Sequence, residues 1–331
     1  MLRTVEMAAE DLLQGGLDVD VKAVDDLEDE TAAVDAAREL VADSAVIAVV
    51  GHKNSGPSKA AGPVYAEAGL AQVTQCSTDN ALSRAGWKTF FRMCATNERQ
   101  AEVAAAFAQA RIPEARVVAV HDGTAYGKPL VEAFAKRFES MSGIPVRIVA
   151  MRVGQEDFSE IVAAAKEIDA QIVDLGATEI ESSKLMKALR SAGARPLVIS
   201  SEGGPDNPIV RLSGPAGEGS VHTYAGFDPL STERSSKLVE RCRAAFGETP
   251  SYVVECYDAV SVIADALRRG AQNRAEVRDA IAATDIEGFS GRIRFDANGD
   301  RVDAPVSLWT IHAGEMVPLA EAPRTLHAAS P

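Results

Sequence analysis

The chain has 331 residues, 46% hydrophobic and 25% charged, and a formal net charge of −14. That length exceeds a comfortable single core and predicts two domains, while the composition is ordinary globular material rather than disordered chain. The acidic excess argues against nucleic acid or an anionic membrane surface as partner, and no apolar run approaches a membrane span.

Thr4 to Gln14 reads as an amphipathic helix with Val5, Ala8, Ala9, Leu12 and Leu13 on its apolar face. Gly15-Gly16 ends it, and Val19–Val24 reads as a strand alternating with charge. No charged-then-apolar signal sequence stands ahead of the helix. The acidic run Asp25–Glu30 suits a solvated loop that complements the amino end of a helix over Thr31–Ala42.

Val46–Val50 is an apolar run of the right length for a buried parallel strand. Gly51 ends it, and a polar loop, His52 to Gly56, leads into a helix over Ser58–Ala68. A strand at Leu70–Thr74 follows, then a second polar loop, Gln75-Cys76-Ser77-Thr78-Asp79. Both loops fall at carboxyl ends of parallel strands, where open α/β sheets collect ligands, so Ser55 and Thr78 are the first candidate ligand contacts. Thr89–Met93 is apolar enough for another strand, and Thr96 or Asn97 caps a helix running to about Ala110.

From Arg116 a strand–helix rhythm restarts. Strands are expected at Arg116–His121, Val146–Arg152, Gln171–Leu175, Leu197–Ser200 and Ser220–Tyr224, with helices at Pro129–Met141, Phe158–Ile168, Ser182–Ala192 and near Asn207–Leu212. Such alternation predicts a second parallel sheet covered by helices. Tyr126, Thr178 and Glu202 lie just beyond three of these strands. The last third is helical at Ser235–Phe246, Val253–Arg269 and Ala275–Thr284, with Tyr252 at the start of the second helix. Strands at Arg292–Phe295 and Val306–Ile311 flank the turn Asp296–Asp300. That turn mimics a calcium loop but lacks glycine at its sixth place and an acid at its twelfth, so it reads as a hairpin turn. Pro318–Pro331 reads as loosely ordered tail.

Four cysteines (Cys76, Cys94, Cys242, Cys256) form no CxxC, and five histidines form no HxxxH, so neither a metal nor any other cofactor is expected. Cys242 and Cys256 are expected as buried free thiols, although a bridge between them stays open.

Three stretches carry a family resemblance: VVGHKNSGPS, PVYAEAGLAQVTQCST and AVHDGTAYGKPLVEAF. They resemble type I periplasmic-binding proteins of the leucine/isoleucine/valine and amide-sensor group, and their order and spacing continue from about Val5 to about Trp309. The resemblance implies an α/β fold of two doubly wound parallel-sheet lobes with a ligand cleft between them. The first lobe would hold residues 1–96 and 226–291, the second 97–225 and 305–331, with 292–304 as a third crossing segment. Helix Thr4–Gln14 and strand Val19–Val24 correspond to the family's first helix and second strand. The family's first strand has no counterpart, so a strand and a signal sequence are expected upstream.

The resemblance also distributes roles. Ser55, Ser77 and Thr78 would hold the carboxylate of an amino acid, without a formal positive charge. Glu202, the Thr78 hydroxyl and the Cys76 carbonyl oxygen would hold its ammonium. Tyr126 and Tyr252 would wall the side-chain pocket. Thr178 stands where the group often has an aromatic residue, and Lys53 where it often has an aliphatic one, so specificity is not simply leucine-like. The function implied is a non-catalytic receptor for a small amino-acid-like ligand that closes its lobes and serves an ABC permease. The alternatives are an amino-acid or amide sensor and, further off, an enzyme on a doubly wound fold. The sequence shows no GxGxxG, P-loop, GxSxG or clustered histidine to support an enzyme. No membrane insertion is expected of this chain. It would act in the periplasm or at the cell surface, as a lipoprotein for instance, if a signal lies upstream, and in the cytoplasm if the chain is complete as given.

Overall fold

A computed structural model describes residues 1–201 and 203–321, for Glu321 the backbone only. The chain divides into two compact units: Met1–Thr96 with Gly226–Pro305 (unit 1), and Asn97–Ala225 with the residues from Val306 on (unit 2).

Unit 1 opens with α1 (Leu2–Gln14). α2 (Glu30–Ala42) begins where the Asp29 carboxylate accepts the N–H groups of Thr31 and Ala32 at 2.8 and 2.9 Å, so one member of the acidic run caps the helix. Then come β1 (Ala48–Val50), α3 (Ser55–Ala68), β2 (Ala71–Thr74), the short α4 (Asn80–Arg84) and β3 (Phe90–Arg92). The strands pair in parallel in the order β1-β2-β3, with β2 wholly buried between its neighbours. The strand expected at Val19–Val24 is not formed: this segment is irregular, and Val21 is 38% exposed. Its residues do alternate in polarity, but a strand exists only through a hydrogen-bonded neighbour, and no described residue pairs with it.

Unit 2 follows the alternation read from the sequence. In order it has α5 (Asn97–Arg111), β4 (Val117–His121), α6 (Gly127–Ser142), β5 (Arg147–Ala150), α7 (Ser159–Glu167), β6 (Ile172–Gly176), α8 (Glu179–Ser191), β7 (Leu197–Ser200), α9 (Ile209–Ser213) and β8 (Val221–Tyr224). The chain then returns to unit 1 for α10 (Glu233–Phe246), α11 (Val253–Arg268), α12 (Arg274–Ala282) and an antiparallel hairpin, β9 (Asp285–Gly288) with β10 (Gly291–Arg294). It closes in unit 2 with β11 (Ser307–His312) and β12 (Glu315–Pro318). β9 and β12 were not expected. β12 occupies residues up to the start of the supposed tail, and 322–331 lie outside the described residues.

The unit 2 sheet runs β12-β11-β8-β7-β6-β4-β5, parallel from β5 to β8 and antiparallel at β11 and β12. Alternate side chains of β4 serve opposite layers, as the two-residue period of a strand requires. Val117 and Ala119 pack with Ala104, Phe134 and Phe138 of α5 and α6; Val118 and Val120 pack with Ile161, Leu185 and Met186 of α7 and α8. Each fully buried Phe contributes about 1.5–3 kcal/mol over an exposed one. Helices on both faces make the sheet doubly wound. The amino end of α6 and the carboxyl end of β6 approach so closely through Gly127 and Gly176 that a Cβ on Gly127 would lie 2.1 Å from the Gly176 carbonyl oxygen.

Unit 1 gains its second layer from the returning helices. Ala259, Val262 and Ala266 of α11 and Val277 and Ile281 of α12 cover Ala71, Val73 and Phe91, while Ala8 of α1 packs with Leu238, Val239 and Val254. Ala33 and Ala37 of α2 pack on the opposite side with Val49 and Tyr65. All four cysteines are free thiols; burial drives the Cys256 thiol up to about 12, so it stays protonated at neutral pH.

Candidate functional site

In unit 1 the two polar loops leave the carboxyl ends of β1 and β2 side by side. Ser55 lies in the first turn of α3 rather than in the loop before it, and is 2% exposed. Its hydroxyl oxygen accepts the Asp79 N–H at 3.2 Å, which stitches the first loop to the second and leaves the Ser55 proton to point elsewhere. The amino end of α3 adds a positive dipole end beside it.

Ser77 is consumed within the protein. Its N–H donates to Thr74 Oγ1 at 3.1 Å, and its hydroxyl sits 3.0 and 3.2 Å from the carbonyl oxygens of His52 and Lys53. Its own carbonyl oxygen accepts Arg92 Nη1 at 3.1 Å. The half-buried Cys76 points its thiol at the Lys53 carbonyl, 3.0 Å away. Thr78 differs from both. It is 1% exposed, and neither its hydroxyl nor its N–H has a partner among the described residues. Polar groups left so are exceptional in folded proteins and ask for an explanation. Tyr252, also in unit 1, is 4% exposed and held at φ 54° immediately before α11.

Two residues that sequence reasoning passed over support these loops. His52 is buried, with Nδ1 2.6 Å from an Asp26 carboxylate oxygen and Nε2 3.1 Å from the Tyr65 hydroxyl. The hydrogen bond from His52 holds the Asp26 carboxyl below its ordinary range, and burial pushes the Tyr65 phenol up. The acidic run is thus not solvated throughout: Asp26 reaches inward to orient the first loop. Arg92, fully buried on β3, grips the second loop. The signal for Arg92 lay in the sequence, because an arginine inside the apolar run Thr89–Met93 must find partners if the strand is buried.

In unit 2 the structure brings Tyr126 and Thr178 to neighbouring strand ends, after β4 and β6. Tyr126 precedes α6, and its carbonyl oxygen accepts Asn97 Nδ2 at 3.2 Å. Thr178 stands at the cap position of α8, but its hydroxyl donates to the Glu181 carboxylate instead of capping the helix. Burial would raise the Glu181 carboxyl, yet that bond and the Gly154 N–H at 3.1 Å outweigh it and leave the group below its ordinary range. His121 is kept neutral-leaning by burial, and its Nδ1 accepts the Gly123 N–H at 3.1 Å. Glu202 lies outside the described residues. Among the described residues no group of three or more His, Cys, Asp or Glu side chains could hold a metal, and no helix is long and apolar enough to cross a membrane.

Comparison with known proteins agrees with this architecture. The chain is 28% identical over 278 residues to a Leu/Ile/Val-binding protein homolog 1 of Brucella melitensis, covering 83% of this chain and 74% of that protein. The crystal structure of a leucine binding protein, LivK, from Thermotoga maritima superposes with a TM-score of 0.86 at 26% identity, covering 95% of this chain and 91% of the other. A solute binding protein of an ABC transporter from R. palustris, in complex with benzoate, superposes with a TM-score of 0.81 at 20% identity, over 96% and 90% of the two chains, a likeness of fold alone. A family model described as periplasmic binding protein matches residues 1–315. With two α/β units, ligand-type loops at their strand ends and a family match over nearly the whole length, this chain is a solute-binding receptor and belongs to the periplasmic binding protein family.

Proposed function

We propose that the receptor binds a small α-amino acid, or a close amide relative, and delivers it to an ABC permease from the periplasm or the outer cell surface, without catalysing a reaction. The observation that carries the ligand class is Thr78. A buried hydroxyl and a backbone N–H with no partner among the described residues, next to the Ser55 hydroxyl and the amino end of α3, form a neutral donor set suited to a carboxylate. Ser77 and Cys76 shape that loop. Glu202 takes the ammonium group, and Tyr126, Tyr252 and Thr178 border the side chain. The names of the Brucella and Thermotoga relatives, which specify leucine-type ligands, support the amino-acid reading. The benzoate complex is a reminder that the fold alone accepts more than one kind of acid. A carboxylate at Glu202 favours a zwitterion over a simple anion, which it would repel.

The test is a thermal-shift panel of amino acids, amides and benzoate on the wild type and Glu202→Gln. Ligand at about 100 times its dissociation constant adds roughly 2.7 kcal/mol, a rise in Tm of about 5 °C or more. Amino acids are expected to produce that rise in the wild type, and Glu202→Gln to lose most of it with an unchanged ligand-free Tm. No response to any amino acid or amide, or full binding by Glu202→Gln, refutes the proposal.

A further inference from the structure

The guanidinium of Arg92 is fully buried, with every one of its nitrogens engaged. Nη1 donates to the carbonyl oxygens of Ser77 (3.1 Å) and Asp79 (2.8 Å). Nη2 donates to Ser83 Oγ (3.0 Å) and to Asp300 Oδ1 (2.5 Å), which Nε also reaches at 2.9 Å. The two carbonyls belong to the residues on either side of Thr78. In a planar trans peptide the C=O of Ser77 and the N–H of Thr78 point in opposite directions. By pulling the Ser77 carbonyl toward itself, Arg92 therefore turns the Thr78 N–H away, on the side where no described residue meets it. Its positive charge also lies at the oxygen end of that peptide dipole, an orientation that favours an anion at the nitrogen end. Asp300 holds the guanidinium from the opposite direction, from a turn braced on β3 by the Arg92 N–H bond to the Gly299 carbonyl oxygen at 2.8 Å.

We infer that Arg92 is a positioning residue for ligand recognition: without touching the ligand, it aims the Thr78 N–H at the ligand's carboxylate. This rests on the amino-acid reading above and adds the part of unit 1 that makes carboxylate binding possible without a cation at the ligand. A lysine at this position keeps the charge but not the planar fork, so it cannot hold both carbonyls and Asp300 together.

The test uses the full chain with L-leucine and L-leucinamide as probes, in calorimetric titration of the wild type and Arg92→Lys. A folded Arg92→Lys protein is expected to bind L-leucine at least tenfold more weakly, and to lose most of the wild type's preference for L-leucine over L-leucinamide. A general loss of packing would weaken both probes alike. Wild-type hydrogen exchange supplies a second measurement that does not depend on the variant folding. Saturating L-leucine is expected to slow the Thr78 amide at least tenfold, and the Ser77 amide, already bonded to Thr74, much less. Leucine binding by Arg92→Lys with wild-type affinity and selectivity, or an unprotected Thr78 amide in the leucine complex, overturns the role of Arg92 while the receptor reading stands. Failure of the wild type to bind L-leucine or any other α-amino acid put in its place removes the ligand reading itself, and this inference with it.

Discussion

Glu255 gives a sharp test of how burial governs this fold. It sits in the first turn of α11, is 0% exposed, and accepts the Phe227 N–H at 2.6 Å. Asp258, one turn on, accepts the N–H groups of Phe289 and Ser290, and the Arg301 guanidinium donates to Ser290 Oγ at 2.6 Å. Burial pushes the Glu255 carboxyl up to about 7 from its ordinary 4.5; the Phe227 N–H and Arg301 pull it down, and Asp258 pushes it further up. The sign follows directly. Below pH 4.5 both the folded and unfolded chains keep the proton, so stability does not depend on this group. Between pH 4.5 and 7 the unfolded chain releases it while the folded chain retains it, which destabilises the fold by about 1.4 kcal/mol per pH unit. By pH 7 the loss is about 3 kcal/mol. Glu255→Gln keeps an acceptor for Phe227 and removes the titration. Denaturant unfolding of both proteins from pH 4 to 8 is expected to show equal stability at pH 4 and a gain of about 3 kcal/mol for the variant at pH 7. A difference that stays constant with pH, or a variant less stable than wild type at pH 8, refutes the reasoning.

The strand–helix rhythm of unit 2 was legible because parallel strands covered on both faces read as unbroken apolar runs. Val117–Val120 has all four side chains buried, and β6 and β8 are likewise buried throughout. Ser55 and Thr78 became candidates for a related reason: once strands and helices are placed, they fall in the polar loops that follow the first two strands. Pattern carries less where stability comes from a neighbour. Val19–Val24 alternates as well as many strands do, yet alternation does not supply a pairing partner. β9 was invisible for the opposite reason. Asp285-Ile286-Glu287-Gly288 holds one apolar side chain, and its pairing with β10 is reinforced by Arg292, which reaches Asp285 with two bonds of 2.6 Å.

The supports of the candidate site were hidden by distance along the chain. Arg92 and Asp300 are 208 residues apart, and His52 and Asp26 are 26 apart, so no local motif announces either pair. What the sequence did offer was the anomaly on one side, a charged or ionisable residue next to buried strands. Burial then requires a partner without naming it. The turn Asp296–Asp300 illustrates the same limit. Its acids were rightly read as turn chemistry, with Asp296 Oδ1 accepting the Asn298 and Asp300 N–H groups at 2.8 and 3.0 Å. That Asp300 also anchors Arg92 could be seen only in three dimensions.

Two further perturbations test the packing of the separate units. Gly127→Ala places a methyl group 2.1 Å from the Gly176 carbonyl oxygen and 2.4 Å from Asp122 Oδ1, so α6 must shift away from β6; a loss of about 2–4 kcal/mol in denaturant unfolding is expected, and a loss below about 0.5 kcal/mol contradicts the close approach. Asp11→Asn tests how α1 is held, since that helix fully buries only Thr4, Ala8 and Ala9 and must rely on additional ties. The Asp11 carboxylate receives Arg241 through two bonds of 2.9 Å and also the Tyr257 hydroxyl, joining α1 to α10 and α11. The bond from Arg241 holds the Asp11 carboxyl below its ordinary range, so its stabilisation is complete above about pH 4 and is lost as pH falls through the folded value. Because the pair is partly solvated, the effect is about 1 kcal/mol or less in global stability. It is larger locally: amide exchange in α1 is expected to quicken at pH 7 in Asp11→Asn, with the core amides of β2 unchanged, and the difference between variant and wild type to shrink at low pH once Asp11 itself is protonated. Unchanged α1 exchange at pH 7 means that the helix is held by packing alone.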